Sequence, residues 1–365
     1  MPRVFLFIAL CSLFSFNTAP TLFDNPITKE LLVEGRALPN AVGQTILIGS
    51  ASSVSLLFNG DSCVAQLRNQ ASGNDYNYVS IELDNAYYGR FKVSGNSSSY
   101  ITIKATPSKV PHLLKIFKAT EAQNGMVIVE GFKADKIRKP NSKKKPLIEF
   151  IGNSISSGMG NDISETPCGG AKWYDQHNAY YAYGPVLSRK LDVNFMLSSV
   201  SGIGIYRNWN SDGPIMPEVY ESAYLTKDST QRWDFKTNTP DIVSIALGTN
   251  DLSDGDGIKK RLPFDSSLFV TNYIKFLKTV YSHYPKTQLV LLSSPMLDGQ
   301  KAKLLFNCLI AVKEEVTLSV PGIKPIVLYR FKPMQPKGCS YHPSKEDHQV
   351  LADELEGVFK ELVWR

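Results

Sequence analysis

After its first twenty residues this 365-residue sequence has no run of about eighteen apolar residues, so nothing in the remainder is suited to cross a membrane as a helix. It also lacks a phosphate-cradling glycine loop, because "GNSISSGMG" misses the GxGxxG spacing; dinucleotide chemistry is thereby excluded. Histidine and cysteine are scarce, five of each. No two cysteines stand at CxxC spacing, and His112, His177 and His283 show no metal-ligand clustering, so no metal and no cofactor is expected. The basic run "KADKIRKPNSKKKP", residues 133–146, carries seven lysines and arginines without an interleaved aromatic platform. It reads as a solvated linker, and no nucleic-acid partner is expected.

What is present begins with "MPRVFLFIALCSLFSFNTAP", which has an early arginine, an apolar run and small residues at its end, the pattern of a secretory signal peptide over residues 1–20. Leu10 stands where a lipoprotein signal has a small residue, which argues against a lipid anchor on Cys11. The expectation is a secreted or periplasmic monomer with no membrane contact after cleavage. Cys63, Cys168, Cys308 and Cys339 then remain, in a compartment where disulfides form; three pairings are open.

The mature chain changes rhythm partway along. Residues 21–135 hold short alternating segments, among them "SVSLLF", "SCVAQL", "YVSIEL", "YITIKA" and "GMVIVEGF", which predict a β-sandwich of jelly-roll type. Asn59–Gly60, between the first two, is a hairpin signal. Residues 136–146 form the basic linker. From 147 to 365, buried strands ("LIEFIG", "NFMLSSV", "DIVSIALG", "QLVLLSSP", "PIVLYR") alternate with helices such as 266–284, which predicts a doubly wound α/β domain around a parallel sheet.

Ligands of such sheets bind beyond the carboxyl ends of the strands, so the residues after each strand carry the chemistry. Ser154 follows the first strand in a tight turn that can expose a hydroxyl and a backbone N–H together. Gly202 follows the second, where the missing side chain lets an N–H approach a bound oxygen. Asn250 follows the third with a side-chain amide. His342 precedes a terminal helix whose N-cap is Ser344, with Asp347 completing a capping box. Val350, Leu351, Leu355, Val358, Phe359 and Leu362 make the apolar face of that helix, and His348 is expected on its surface. Singly, each rim residue is an ordinary turn or cap residue. Together, each after a different parallel strand, they outline a hydroxyl nucleophile, a proton relay and an oxyanion pocket.

The blocks around Ser154, Gly202, Asn250 and His342 resemble the four that name the SGNH hydrolases, also called GDSL esterases. A sandwich ahead of them, with "IEFIGNSISSGMGN", "SGIGIYRNW", "MPEVY" and "GCSYHPS", is similar to carbohydrate esterase family 2 over nearly the whole mature chain. The resemblance implies a flavodoxin-like SGNH domain and a secreted esterase that removes acetyl groups from a polysaccharide or oligosaccharide of the xylan or glucomannan kind, without metal. It implies that Ser154 attacks, that His342 acts as base and then acid, and that Ser154 N–H, Gly202 N–H and the Asn250 amide hold the oxyanion. Two departures stand out: Asn153 replaces an aspartate before the nucleophile, and Ser340 replaces an aspartate two residues before the histidine. A Ser–His dyad whose imidazole rests on a backbone carbonyl is therefore expected, with Ser340 as possible support. Trp209, Tyr206 and Tyr341, with Trp173, are candidates for stacking on sugar rings, and Arg207 either contacts substrate or braces its loop. The alternatives are a broad esterase of small acyl esters and a glycan-binding protein with a degenerate site.

Overall fold

The alternating segments of the first half place every second side chain between two antiparallel sheets in a computed structural model that describes residues 28–141, 144–169, 172–228 and 230–364. The expected signal peptide, with Cys11, lies outside the described residues. In chain order the strands are β1 (Leu32–Glu34), β2 (Ala37–Pro39), β3 (Thr45–Leu47), β4 (Ser53–Asn59), β5 (Ser62–Gln70), β6 (Asn77–Leu83), β7 (Ala86–Val93), β8 (Ser98–Lys104), β9 (His112–Lys118), β10 (Met126–Lys133) and β11 (Lys136–Arg138). One sheet runs β1-β4-β9-β6-β7, with β11 also on β4; the other runs β2-β3-β10-β5-β8. Val54, Leu56, Phe58, Val79, Ile81 and Ile116 of the first meet Ala65, Leu67, Ile101, Ile103, Val127 and Val129 of the second.

Two expectations change here. Asn59–Gly60 does not close a hairpin: β4 and β5 lie in different sheets, and the turn crosses from one to the other. Alternation shows that each strand buries one face, but not whether its chain neighbour lies beside it or across the core. A tight hairpin joins β6 and β7 instead, through Asp84 and Asn85, both left-handed at φ 53° and 65°. The basic run is also not all linker, since its residues 136–138 pair as β11 and Ile137 packs towards the core.

The second half contains β12 (Leu147–Gly152), α1 (Ser154–Ser157), α2 (Tyr183–Leu191), β13 (Asn194–Ser199), α3 (Met216–Val219), β14 (Ile242–Ala246), α4 (Thr249–Leu252), α5 (Ser266–His283), β15 (Gln288–Leu292), α6 (Gly299–Ser319), β16 (Val327–Tyr329) and α7 (Lys345–Val363). Its sheet is wholly parallel in the order β13-β12-β14-β15-β16, the 2-1-3-4-5 order of a doubly wound fold. The amphipathic faces explain the layers. Phe269, Tyr273, Phe276 and Val280 of α5 and Leu305, Leu309, Val312 and Val316 of α6 cover one face; Leu187 and Leu191 of α2 and Leu351, Leu355 and Phe359 of α7 cover the other. Strand order reverses at β12, so the crevice opens between the loops that follow β12, β13 and β14.

A buried cation joins the halves. Arg36, in the turn between β1 and β2, is fully buried; it donates from Nε to Ser198 Oγ at 2.8 Å, from Nη1 to the Ser222 carbonyl at 2.8 Å and from Nη2 to the Tyr220 carbonyl at 2.9 Å. Nη2 also stands 3.8 Å from the Glu149 carboxylate of β12, and the guanidinium lies over the Trp233 ring.

Candidate active site

Gly152 ends β12, and Asn153 turns the chain by accepting the Ile155 N–H on its side-chain oxygen at 3.1 Å, which caps α1. Asn153 thus performs the turn-shaping work expected of that position. Ser154 is the first residue of α1, and its Oγ lies 2.7 Å from Nε2 of His342, a residue 188 positions further along the chain.

The His342 loop is built under backbone strain. Ser340 (φ 54°) and Tyr341 (φ 58°) are consecutive left-handed residues that carry side chains, an arrangement that costs on the order of 1–3 kcal/mol per residue unless the surroundings impose it. Here they do. A disulfide joins Cys339 to Cys168, the Cys339 N–H donates to the Gly160 carbonyl at 2.8 Å, and Gly338 N–H donates to the His342 carbonyl at 2.8 Å. Gly160 itself must lack a side chain, since a Cβ there would stand 2.6 Å from the Cys339 carbonyl oxygen. Below the loop, Ser344 caps α7 by accepting the Asp347 N–H at 3.2 Å, and the Asp347 carboxylate takes the Ser344 N–H at 2.9 Å.

The outcome of this bracing is that the Ser340 carbonyl accepts the Nδ1–H of His342 at 2.7 Å. With that proton fixed, the Nε2 lone pair faces Ser154. The Ser340 side chain takes no part: its hydroxyl is not the support, its backbone is. Ser340→Ala should therefore leave kcat on an aryl acetate within about twofold of the unaltered protein; a tenfold or greater fall would return the role to the hydroxyl. Burial pushes the His342 imidazole below its ordinary value of 6.5, opposed by the Ser340 carbonyl.

Two further loops leave the same edge of the sheet, the first bonded to the end of β12 by the Val200 N–H on the Gly152 carbonyl at 3.2 Å. After β13, Gly202 adopts φ +77°, a conformation that glycine reaches without strain. Its carbonyl accepts the Trp209 N–H at 2.8 Å. Among the described residues, the N–H groups of Ser154 and Gly202 donate to no protein acceptor. After β14, Asn250 spends one amide hydrogen on the Ile203 carbonyl at 2.7 Å, which leaves the other. Beside it, buried Asp251 accepts the N–H groups of Ile205 at 3.0 Å, Tyr206 at 2.9 Å and Arg207 at 3.2 Å, and burial pushes its carboxyl up to about 6. Nothing in the sequence marked Asp251 as the organiser of the 204–207 loop, because its acceptors are filled by the backbone of a distant segment.

The candidate sugar contacts divide. Trp209 is 39% exposed and lines a groove of about 300 Å³ between residues 207–212 and 255–262; Tyr341 is 86% exposed beside His342. Trp173 is exposed at the edges of Tyr174 and His177. Tyr206 is half-buried: its ring packs on Phe264 and Phe269, and its hydroxyl accepts the Asp265 N–H at 3.1 Å. Arg207 braces its loop, donating from Nε to the Asp251 carbonyl at 2.7 Å and from Nη1 to the Leu262 carbonyl at 2.6 Å. Asp251 ties down the backbones of both, and Arg207 also lines the groove beside Trp209. His348 is not a surface residue; it is fully buried, its Nδ1 accepts the Tyr183 N–H at 3.2 Å, and Val350 takes the outer position expected to be apolar and buried. Helical spacing aligns His348 with Leu351, Ala352, Leu355 and Phe359, the face that meets α2.

Comparison with known proteins agrees with this architecture. The sequence profile described as "Carbohydrate esterase 2 N-terminal" matches residues 33–142. An acetylxylan esterase / glucomannan deacetylase of Cellvibrio japonicus is 30% identical over 250 residues, 67% of this chain and 68% of that protein. The cellulase/esterase CelE of Acetivibrio thermocellus is 30% identical over 329 residues; the match takes in 86% of this chain but 37% of that larger protein. Among solved structures, a family two carbohydrate esterase from Clostridium thermocellum in complex with cellohexaose superimposes with a TM-score of 0.79 at 26% identity, covering 91% of this chain and 98% of that one.

Proposed function

The chain belongs to carbohydrate esterase family 2 and is a carboxylic-ester hydrolase, and on that premise we propose that it removes O-acetyl groups from xylan or glucomannan by way of a Ser154 acetyl-enzyme. One observation carries the reading: a hydroxyl and an imidazole from loops 188 residues apart meet at 2.7 Å, with the far ring nitrogen seated on a backbone carbonyl. Ser154 Oγ attacks the acetyl carbon while its proton passes to His342 Nε2. The carbonyl oxygen, now negative, is held by the N–H groups of Ser154 and Gly202 and by the free amide hydrogen of Asn250. Collapse breaks the bond to the sugar oxygen, which takes the proton from His342. Water then attacks the acetyl-enzyme with the same base, releases acetate and returns the proton to Ser154 Oγ.

Among the described residues no carboxylate hydrogen-bonds the histidine; the Glu121 carboxylate acts on it only through space. The Ser340 carbonyl fixes the tautomer, the larger of the two services an aspartate renders, and its dipole supplies part of the second by stabilising the imidazolium. An assembled dyad with free oxyanion donors favours turnover over glycan binding alone. Trp209, beside the groove, is the residue proposed to stack on a sugar ring, and exposed Tyr341 is proposed to touch the chain next to the scissile ester. The signal-like pattern of the sequence at 1–20 supports action outside the cytoplasm, on polymers too large to enter a cell, and the protein is proposed to act there as a monomer.

The test is acetate release from acetylated xylan, acetylated glucomannan and p-nitrophenyl acetate. Hydrolysis of the polymers that depends on Ser154 supports the proposal; hydrolysis of the aryl ester alone would favour a broad esterase, and glycan affinity without turnover a binding protein. The pH profile follows from His342. As the base it must be neutral, and its value is depressed below 6.5, so kcat/KM should rise with pH and reach half its plateau below pH 6.5. A half-plateau above pH 7 in a steady-state profile would contradict that depression. The same depression makes the folded state resist protonation, so it contributes a loss of stability as pH falls below 6.5.

A further inference from the structure

The loop that carries Gly202 is anchored from outside its own domain. Glu121, which follows β9 in the sandwich, is fully buried at the domain seam. Its Oε2 accepts the backbone N–H of Ser201 at 2.6 Å and its Oε1 accepts the Ser201 hydroxyl. Oε1 also accepts from Nε2 of buried His177 at 3.1 Å, and Oε2 from the Gln123 amide at 3.2 Å. Burial by itself would raise this carboxyl, but the hydrogen bonds from His177 and Ser201 outweigh it and hold the group below the usual range, so it is a carboxylate at neutral pH. Lys118 donates from Nζ to the Glu121 backbone carbonyl at 2.7 Å, which ties the acid to the end of β9.

Ser201 immediately precedes Gly202. Its N–H and its side chain are both committed to one rigid carboxylate, while the Gly202 and Ile203 carbonyls are engaged by Trp209 N–H and the Asn250 amide. The peptide that bears the Gly202 N–H is thus clamped on both sides, with one clamp supplied by the sandwich. A glycine with φ +77° has no side chain to restrain it and would otherwise sample several orientations. Four hydrogen bonds, from Ser201, His177 and Gln123, converge on the buried Glu121 carboxylate, more than a mere filler of the seam requires.

We propose that Glu121 is a positioning residue for the esterase reaction: through Ser201 it aims the Gly202 N–H at the developing oxyanion, which makes the sandwich domain part of the catalytic apparatus. The inference rests on the acetyl-ester reading of the site. An oxyanion donor acts in the transition state more than on bound substrate, so disorienting it lowers kcat and spares KM.

The experiment compares Glu121→Gln, Ser201→Ala and the double variant in the full chain, with kcat expressed per active site titrated by an organophosphate and with thermal melts alongside. Glu121→Gln should lose roughly 10- to 100-fold in kcat, with KM within about twofold. Ser201→Ala, which keeps the N–H contact, should lose less, and the double variant should be no worse than Glu121→Gln, because both changes break the same link. Should Glu121→Gln not fold, Ser201→Ala decides: a kcat loss of about threefold or more at unchanged KM supports the inference, and wild-type kcat overturns it. Glu121→Gln with wild-type kcat per titrated site, or effects that add in the double variant, also overturns it. Ser154→Ala, with turnover expressed per mole of protein because it has no hydroxyl to titrate, separates the two conclusions. If it abolishes turnover while Glu121→Gln does not lower kcat, only the positioning role fails; if it keeps turnover, the esterase reading fails and this inference with it.

Discussion

Ser154→Ala is expected to lower kcat for acetate release by a factor on the order of ten thousand to a million, with little change in melting temperature. The side chain is small and its hydroxyl has one polar contact, to His342, so its loss leaves no buried group stranded. Everything chemical is lost, however. On the proposed mechanism, without Oγ there is no acetyl-enzyme and His342 has no serine proton to accept; the proposed oxyanion donors remain and can polarise an ester for direct attack by water, which sets the residual rate. His342→Ala should fall into the same range, and the double variant should be no slower than either single one, because nucleophile and base act as a unit. Stopped assays for acetate on acetylated xylan, with substrate affinity measured separately, check this. A fall of less than about hundredfold in Ser154→Ala would mean that the reaction, if any, runs elsewhere.

Arg36→Ala should destabilise the protein by about 3–5 kcal/mol, the largest stability effect expected from one surface-remote change. The guanidinium satisfies two backbone carbonyls and a serine hydroxyl and faces Glu149, which is itself buried in β12 with Ser198 Oγ–H at 2.5 Å and the Tyr220 hydroxyl at 3.0 Å. Burial pushes the Glu149 carboxyl up and Arg36 is the largest influence pulling it down. Removing the cation leaves that carboxyl without its counter-charge and leaves the carbonyls of Tyr220 and Ser222 unpaired at the seam, and both consequences are costly in a dry interior. Because Arg36 belongs to the sandwich and its partners to the α/β domain, the variant should also unfold in two steps where the parent unfolds in one. Urea titrations followed by tryptophan fluorescence and by far-ultraviolet circular dichroism would show the split; coincident curves with a midpoint unchanged from the parent would refute it.

The two experiments probe different levels of the molecule, and the sequence reaches them unequally. The rim was legible because a parallel sheet delivers the end of every strand to one edge: once β12, β13 and β14 could be recognised from short apolar runs, the loops that carry Ser154, Gly202 and Asn250 had to leave from that edge. The helix at 345–363 was legible from its capping box and spacing. His348 was misjudged because period alone gives a helix face, and a polar residue on that face is read as exposed until a partner such as the Tyr183 N–H is seen. The same limit applied to Asn59–Gly60, where the turn was legible and the pairing was not.

By itself, then, the sequence determined the succession of elements, the parallel character of the second half and which loops share its rim, since those follow from local periodicity and from the geometry of strand crossovers. Only the tertiary structure decided that Cys339 joins Cys168, that the Ser340 carbonyl and not its hydroxyl meets His342, that Arg36 reaches Glu149 and that Glu121 reaches Ser201. Each of these joins residues that are far apart in the chain or depends on a backbone turned against its own preference. Such contacts are chosen by packing, within the α/β domain for the disulfide and the His342 loop and between the two domains for Arg36 and Glu121, which no local pattern encodes.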